Sequence, residues 1–153
     1  MNKPIVRYGR NSASTSYGFF KEYALFNGDF RDDLQEQPRD GATAERLAGD
    51  KFGIGYCGIY DRLSDTRAVP LAADEKSDFV AAEPEQARDG KYPLARKLYL
   101  YVNHDPAKKL DPLRAEFIRY LFSKQGQGAV IKAGHVPVDS VAANKALKAV
   151  GLD

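Results

Sequence analysis

Cysteine, histidine, methionine and tryptophan are all scarce here: 153 residues include one Cys, two His, one Met and no Trp. A single cysteine excludes an intramolecular disulfide framework, and two histidines beside it are too few for a zinc cluster, so no metal site is expected. No apolar run reaches the roughly 18 residues that a membrane-spanning helix needs. Charge of one sign is also lacking, since 23 basic residues against 21 acidic ones leave a formal net charge of +2. That balance argues against a nucleic-acid partner held by bulk charge. Met1-Asn-Lys-Pro4 leads into no apolar signal-peptide core, so the visible sequence predicts no export signal. What is present is a hydrophobic fraction of 43%, enough for one core in a single domain over 1–153.

Charge is less even locally, with an acidic excess over 28–50 and a basic excess over 88–132. Solvated helix faces and loops account for both. Pro4–Tyr8 reads as a short strand closed by Gly9 and Arg10, and 11–16 is a polar turn. Tyr17, Phe20 and Ala24 recur at helical spacing, with Ser14 or Thr15 as the N-cap and Asn27-Gly28 as the stop. A short strand near Asp33–Gln37 would end at Pro38, and a second helix is expected over Thr43–Gly49. Phe52-Gly-Ile-Gly-Tyr-Cys-Gly-Ile59 alternates small and large residues like a strand, and its glycines predict close backbone packing or a bulge. Thr66–Leu71 reads as a further strand, 73–91 as a polar connection with a helical turn after Pro84, and Leu98–Val102 as a central strand. Asp111-Pro112 opens a helix through Ser123, Gln125–Ala133 offers another ended by Gly134, and Asp139 caps the last. Interspersed strands and helices predict the α/β class.

The strand, serine-rich turn and helix at 4–26 carry the most chemistry. Helix amides without an i−4 partner point out of the N-terminus, where the helix dipole favours negative charge. Ser12, Ser14, Thr15 and Ser16 add hydroxyls, and Arg10 adds charge-assisted donors in a planar fork. Such a set suits a small tetrahedral oxyanion. A plain helix cap beside a surface arginine explains the same residues.

Gly9-Arg-Asn-Ser-Ala-Ser-Thr-Ser-Tyr-Gly-Phe-Phe20 also resembles the signature of periplasmic phosphate-binding proteins, the solute receptors of the phosphate ABC transporter. The likeness continues through Phe52–Ile59, Tyr92-Pro-Leu, Leu98–Val102 and Leu113–Val138. The resemblance implies a type 2 periplasmic-binding-protein lobe, a mixed sheet flanked by helices. Residues 1–91 would resemble the second lobe, and 92–153 the crossover and returning C-terminal segments. It implies that Arg10 grips phosphate, that Ser14 supplies a hydroxyl, and that Thr15 and Ser16 supply amides, with the Ser16 hydroxyl as a further donor. Ser12 stands where family motifs often carry an acid that pairs with the arginine and can receive a phosphate proton. Thr15-Ser16 stands where they carry Gly-Thr.

Receptors of that family are two-lobed and about twice this size, with the anion enclosed between lobes. The resemblance therefore implies, as partners, inorganic phosphate or a similar oxyanion, a missing lobe or a second copy of the chain, and a membrane permease. It also implies a periplasmic or cell-surface setting. A half-site open to water should bind weakly, because its donors keep competing with solvent.

The remaining candidates point elsewhere than catalysis. Cys57 reads as a buried inert thiol, His104 and His135 as loop residues, and Asp32-Asp33 as solvated charges. No Walker loop, dinucleotide fingerprint, HExxH or GxSxG occurs, so no enzyme activity and no cofactor are expected. Tyr99 and Tyr101 suit core or interface packing better than an RNA-binding sheet. The leading expectation is phosphate binding. The rival is a structural or interaction module that kept the fold without the ligand and self-associates through 92–150.

Overall fold

The computed structural model describes residues 3–152. The expectation about the leader therefore lies partly outside the described residues, at Met1 and Asn2. The chain divides into two compact units, 1–95 and 96–153.

In the first unit, β1 (Val6–Arg10) is the central strand of a three-stranded sheet ordered β2-β1-β3, with β2 at Gln35–Gln37 and β3 at Gly53–Gly55. Both pairings are parallel, with Tyr8 opposite Gln35 on one side and Val6 opposite Gly53 on the other. Parallel neighbours require crossovers, and helices supply them. Helix α1 (Thr15–Tyr23) lies between β1 and β2 in sequence, and α2 (Asp40–Gly49) between β2 and β3. The sheet is thus flanked by helices as expected, but its pairing is parallel, not mixed. Among the described residues, the antiparallel pairing is the isolated Leu71–Val80 bridge.

Close backbone approach explains the glycines of β3. A Cβ at Gly55 would lie 2.5 Å from the Tyr8 carbonyl oxygen and 3.2 Å from Cγ2 of Thr43. Thr43 and Ala44 are the buried face of α2, which the bare glycine positions of this strand let down onto the sheet. The anticipated strand over 52–59 shortens to three residues, because the chain leaves the sheet at Tyr56 and turns into a short 3-10 segment, Ile59–Asp61. Thr66–Leu71 is not a strand beyond the single bridge at Leu71. A short helix, α3 (Pro84–Arg88), follows Pro84 as the sequence predicts.

Side chains cap α1 and, in the second unit, three further helices where local chemistry directs. Ser14 caps α1 by accepting from the Ser16 amide. The exit from α1 differs from expectation: Phe26 and Asn27 take the left-handed conformation, with φ of 51° and 66°. The helix ends at Tyr23, earlier than Asn27-Gly28 suggested.

The second unit holds α4 (Pro112–Phe122), α5 (Lys124–Lys132) and α6 (Ser140–Ala149). Asp111 and Asp139 accept from the Arg114 and Ala142 amides at the starts of α4 and α6. Ser123 joins α4 to α5 and accepts from the Gly126 amide. Gly126 permits that sharp join, since a Cβ there would collide with the Tyr120 carbonyl oxygen. Ala115, Ile118 and Leu152 form the buried cluster, with Val102, Leu110, Phe122, Leu147 and Val150 packed against it.

Leu98–Val102 is not a strand. It pairs with nothing in a sheet among the described residues, and Tyr99 and Tyr101 are 72% and 91% exposed. Within this chain the two tyrosines therefore do not pack in a core. An extended segment needs neighbouring strands to satisfy its backbone, and propensity alone does not supply them. No helix among the described residues is long and apolar enough to cross a membrane.

Candidate functional site

The site grows from the carboxyl end of β1, where open parallel sheets commonly present ligands. β1 runs two residues further than the sequence suggested and carries Arg10 as its last residue. The Arg10 side chain is only 16% exposed. Its Nη1 donates to Asp40 Oδ1 at 2.6 Å, and its Nη2 donates to the Pro38 carbonyl at 3.1 Å. Nε is buried and makes no hydrogen bond among the described residues, so one donor of the fork is unused there.

Asp40 opens α2 and is shared. The Ser16 hydroxyl donates to its second oxygen, Oδ2, at 3.0 Å. Ser14 Oγ accepts the Ser16 backbone N–H at 3.1 Å. The first turn of α1, the end of β1 and the first turn of α2 therefore meet at one carboxylate. Of the five residues singled out from sequence, Arg10, Ser14 and Ser16 are linked by this network. Thr15 is the first residue of α1 and is exposed, and Ser12 is exposed in the preceding turn.

Tyr56 holds the backbone beneath the arginine. Its hydroxyl oxygen accepts the Arg10 N–H at 3.0 Å, and its O–H donates to the Arg10 carbonyl at 3.4 Å. The ring stacks on Phe20 of α1, with centroids 4.2 Å apart and planes 10° from parallel. Phe30 lies beside both rings, and Tyr17 beside Phe30. The bare face of Gly9 makes room, because a Cβ there would come within 2.6 Å of the Tyr56 ring.

Burial and like charge shape the titration nearby. Burial, reinforced by the Asp40 carboxylate, raises the Asp61 pKa, while Arg39 and Arg10 oppose the rise. Burial, helped by Asp61 and Asp40, pushes the Cys57 thiol up to about 11. Cys57 is accordingly a protonated, weakly reactive thiol at neutral pH. Burial also raises the Tyr56 pKa, keeping its phenol neutral and able to donate. His104 and His135 lie in loops, as anticipated.

Asp40 and Tyr56 were missed as site residues. Asp40 fell in the polar stretch before the expected start of α2 at Thr43, three residues late. An acid followed by a helical pattern was the available signal, since carboxylates favour the first turn of a helix. Chemically, the site offers one guanidinium, two serine hydroxyls and a helix N-terminus around a carboxylate. Such a set suits an anion.

No protein-family model matches the chain. It is 44% identical over 150 residues to the phosphate-binding protein PstS of Pseudomonas aeruginosa PAO1, covering 98% of this chain and 46% of that protein. It is 28% identical over 137 residues to phosphate-binding protein PstS of Staphylococcus haemolyticus, covering 88% of this chain and 42% of that one. Among solved structures, a possible phosphate binding protein from Planctomyces limnophilus aligns with a TM-score of 0.75 and 26% identity, over 98% of this chain and 54% of that chain. A phosphate ABC transporter phosphate-binding protein from Streptococcus pneumoniae TIGR4 shares the fold, with a TM-score of 0.70 and 20% identity over 90% of this chain and 53% of that chain. Over nearly all of its own length the chain is similar to PstS phosphate-binding proteins, and it spans about half the length of the curated relatives it matches.

Proposed function

We propose that this chain binds inorganic phosphate, or a similar tetrahedral oxyanion, as part of a solute receptor of an ABC transporter. The carrying observation is the 44% identity to a phosphate-binding protein along 98% of the chain. The convergence of Arg10 with the capped start of α1 supports it chemically. In this reading Arg10 provides charge, Ser14 and Ser16 provide hydroxyls, and the Thr15 amide is a further donor, with the Ser16 amide available once it leaves the Ser14 hydroxyl oxygen. Ser12, exposed in the turn before α1, is the remaining hydroxyl of the proposed set. Asp40 now stands beside the arginine, where family motifs place an acid at the position of Ser12. The function is binding and release, not catalysis.

A complementary lobe, or a second copy of the chain, would complete the donor set. A membrane permease would receive the ligand, in a periplasmic or cell-surface setting. Calorimetry with phosphate and sulfate at low ionic strength tests the reading. Heat on phosphate addition that disappears in Arg10→Ala is expected. No heat for the parent chain, or unchanged binding after Arg10→Ala, rejects the site.

A further inference from the structure

The carboxylate of Asp40 occupies the donors that the phosphate reading assigns to the ligand. Arg10 Nη1 reaches one of its oxygens at 2.6 Å and the Ser16 hydroxyl reaches the other at 3.0 Å. Each oxygen accepts one of the two donors, as two oxygens of a bound oxyanion would. We propose that Asp40 is a built-in competitor for the anion, holding Arg10 and Ser16 until phosphate displaces it. This inference rests on the phosphate-binding reading above.

The physical case has three parts. First, a serine hydroxyl has one hydrogen to donate, and the Ser16 hydrogen is committed to Asp40. Phosphate gains that bond only when Asp40 loses it. Second, an incoming phosphate that left Asp40 in place would sit beside a like charge, which is unfavourable in a half-buried site. Third, Asp40 has somewhere to go. It lies in the first turn of α2, its side chain is 23% exposed, and a carboxylate turned outward there keeps the favourable helix dipole and gains water. Arg10 stays partly engaged through Pro38, and its unused Nε is a further donor for the arriving anion. Asp40 thus orients the guanidinium and lowers the net gain when an anion takes its place.

The test is calorimetry of the whole chain with sodium phosphate at low ionic strength, comparing the parent with Asp40→Asn. The amide keeps the shape and one acceptor but removes the negative charge. Asp40→Asn is expected to bind phosphate roughly tenfold more tightly, since a charge-assisted contact no longer has to be broken. Binding by the parent with equal or weaker binding by Asp40→Asn overturns the inference and leaves the phosphate reading standing. Heat in neither protein overturns both. Should Asp40→Asn lose its circular dichroism signature, the unmutated protein decides. Its Asp40 side-chain carbonyl 13C resonance is expected to shift along the calorimetric isotherm, and a resonance that stays put while phosphate binds overturns the inference.

Discussion

The Tyr56 hydroxyl clasps the peptide of Arg10 from both sides, accepting its N–H at 3.0 Å and donating to its carbonyl at 3.4 Å. The same ring stacks on Phe20 in α1, so one side chain fixes both β1 and the helix that carries Ser14 and Ser16. Tyr56→Phe keeps the stack and deletes the clasp. It should cost about 1 kcal/mol of unfolding free energy, the usual worth of a part-buried hydrogen bond. Tyr56→Leu loses the aromatic stack as well and should cost about 1 kcal/mol more. Urea denaturation followed by circular dichroism separates the two; equal losses would show that the stack contributes nothing, and no loss in Tyr56→Phe that the hydroxyl contributes nothing.

Gly9 is the counterpart of that clasp on the strand. A methyl group added there would meet the Tyr56 ring at 2.6 Å and Leu34 Cδ1 at 3.1 Å. Gly9→Ala is therefore expected to destabilise by about 1–3 kcal/mol, the range for forced overpacking. The effect should shrink in the Tyr56→Leu background, because a smaller branched side chain leaves room for the methyl. A double-mutant cycle on the same unfolding measurement reads that coupling, and strictly additive losses would exclude the contact as its cause.

Local chemistry was the legible part of this molecule. Ser14, Asp111 and Asp139 are caps that depend only on residues two or three positions away, and each accepts the amide expected of it. Pro112 at the first turn of α4 follows the same logic. The glycines of β3 announced close packing, although not the neighbours, Tyr8 and Thr43, that require it. Pairing was illegible, because a run such as Leu98–Val102 becomes a strand only when another strand lies alongside. Asp40 is the clearest case in the site. Its importance arises from Arg10 and Ser16, 30 and 24 residues away in sequence, and no spacing rule connects them.

Thr43 is fully buried in α2 and its hydroxyl has no hydrogen-bond partner among the described residues, while its methyl carbon packs over Gly55. A desolvated hydroxyl without a partner is a standing cost, and valine has the same shape without it. Thr43→Val should leave stability unchanged or raise it by about 1 kcal/mol. Thr43→Ser, which keeps the hydroxyl and removes the packed methyl, should lower it by about 1 kcal/mol. Thermal unfolding of the two variants side by side tests the assignment, and a loss of stability in Thr43→Val would show that the hydroxyl is paired in solution.

Asp61 gives the fold a pH dependence of definite sign. Burial and the Asp40 carboxylate raise its pKa in the folded chain, against the opposing pull of Arg39 and Arg10. The folded state then holds the Asp61 proton more tightly than the unfolded state does. Stability from this group consequently falls as pH rises from the ordinary carboxylate pKa through the raised one, and the penalty is fully present above it. Asp61→Asn removes the ionisation and keeps the shape. The variant should melt at a higher temperature than the parent at pH 7, and its advantage should vanish on acidification to the ordinary aspartate range. Melting curves at a series of pH values check both the sign and the window. A variant that is less stable than the parent at pH 7 would mean that attraction to Arg39 and Arg10 outweighs burial and repulsion by Asp40.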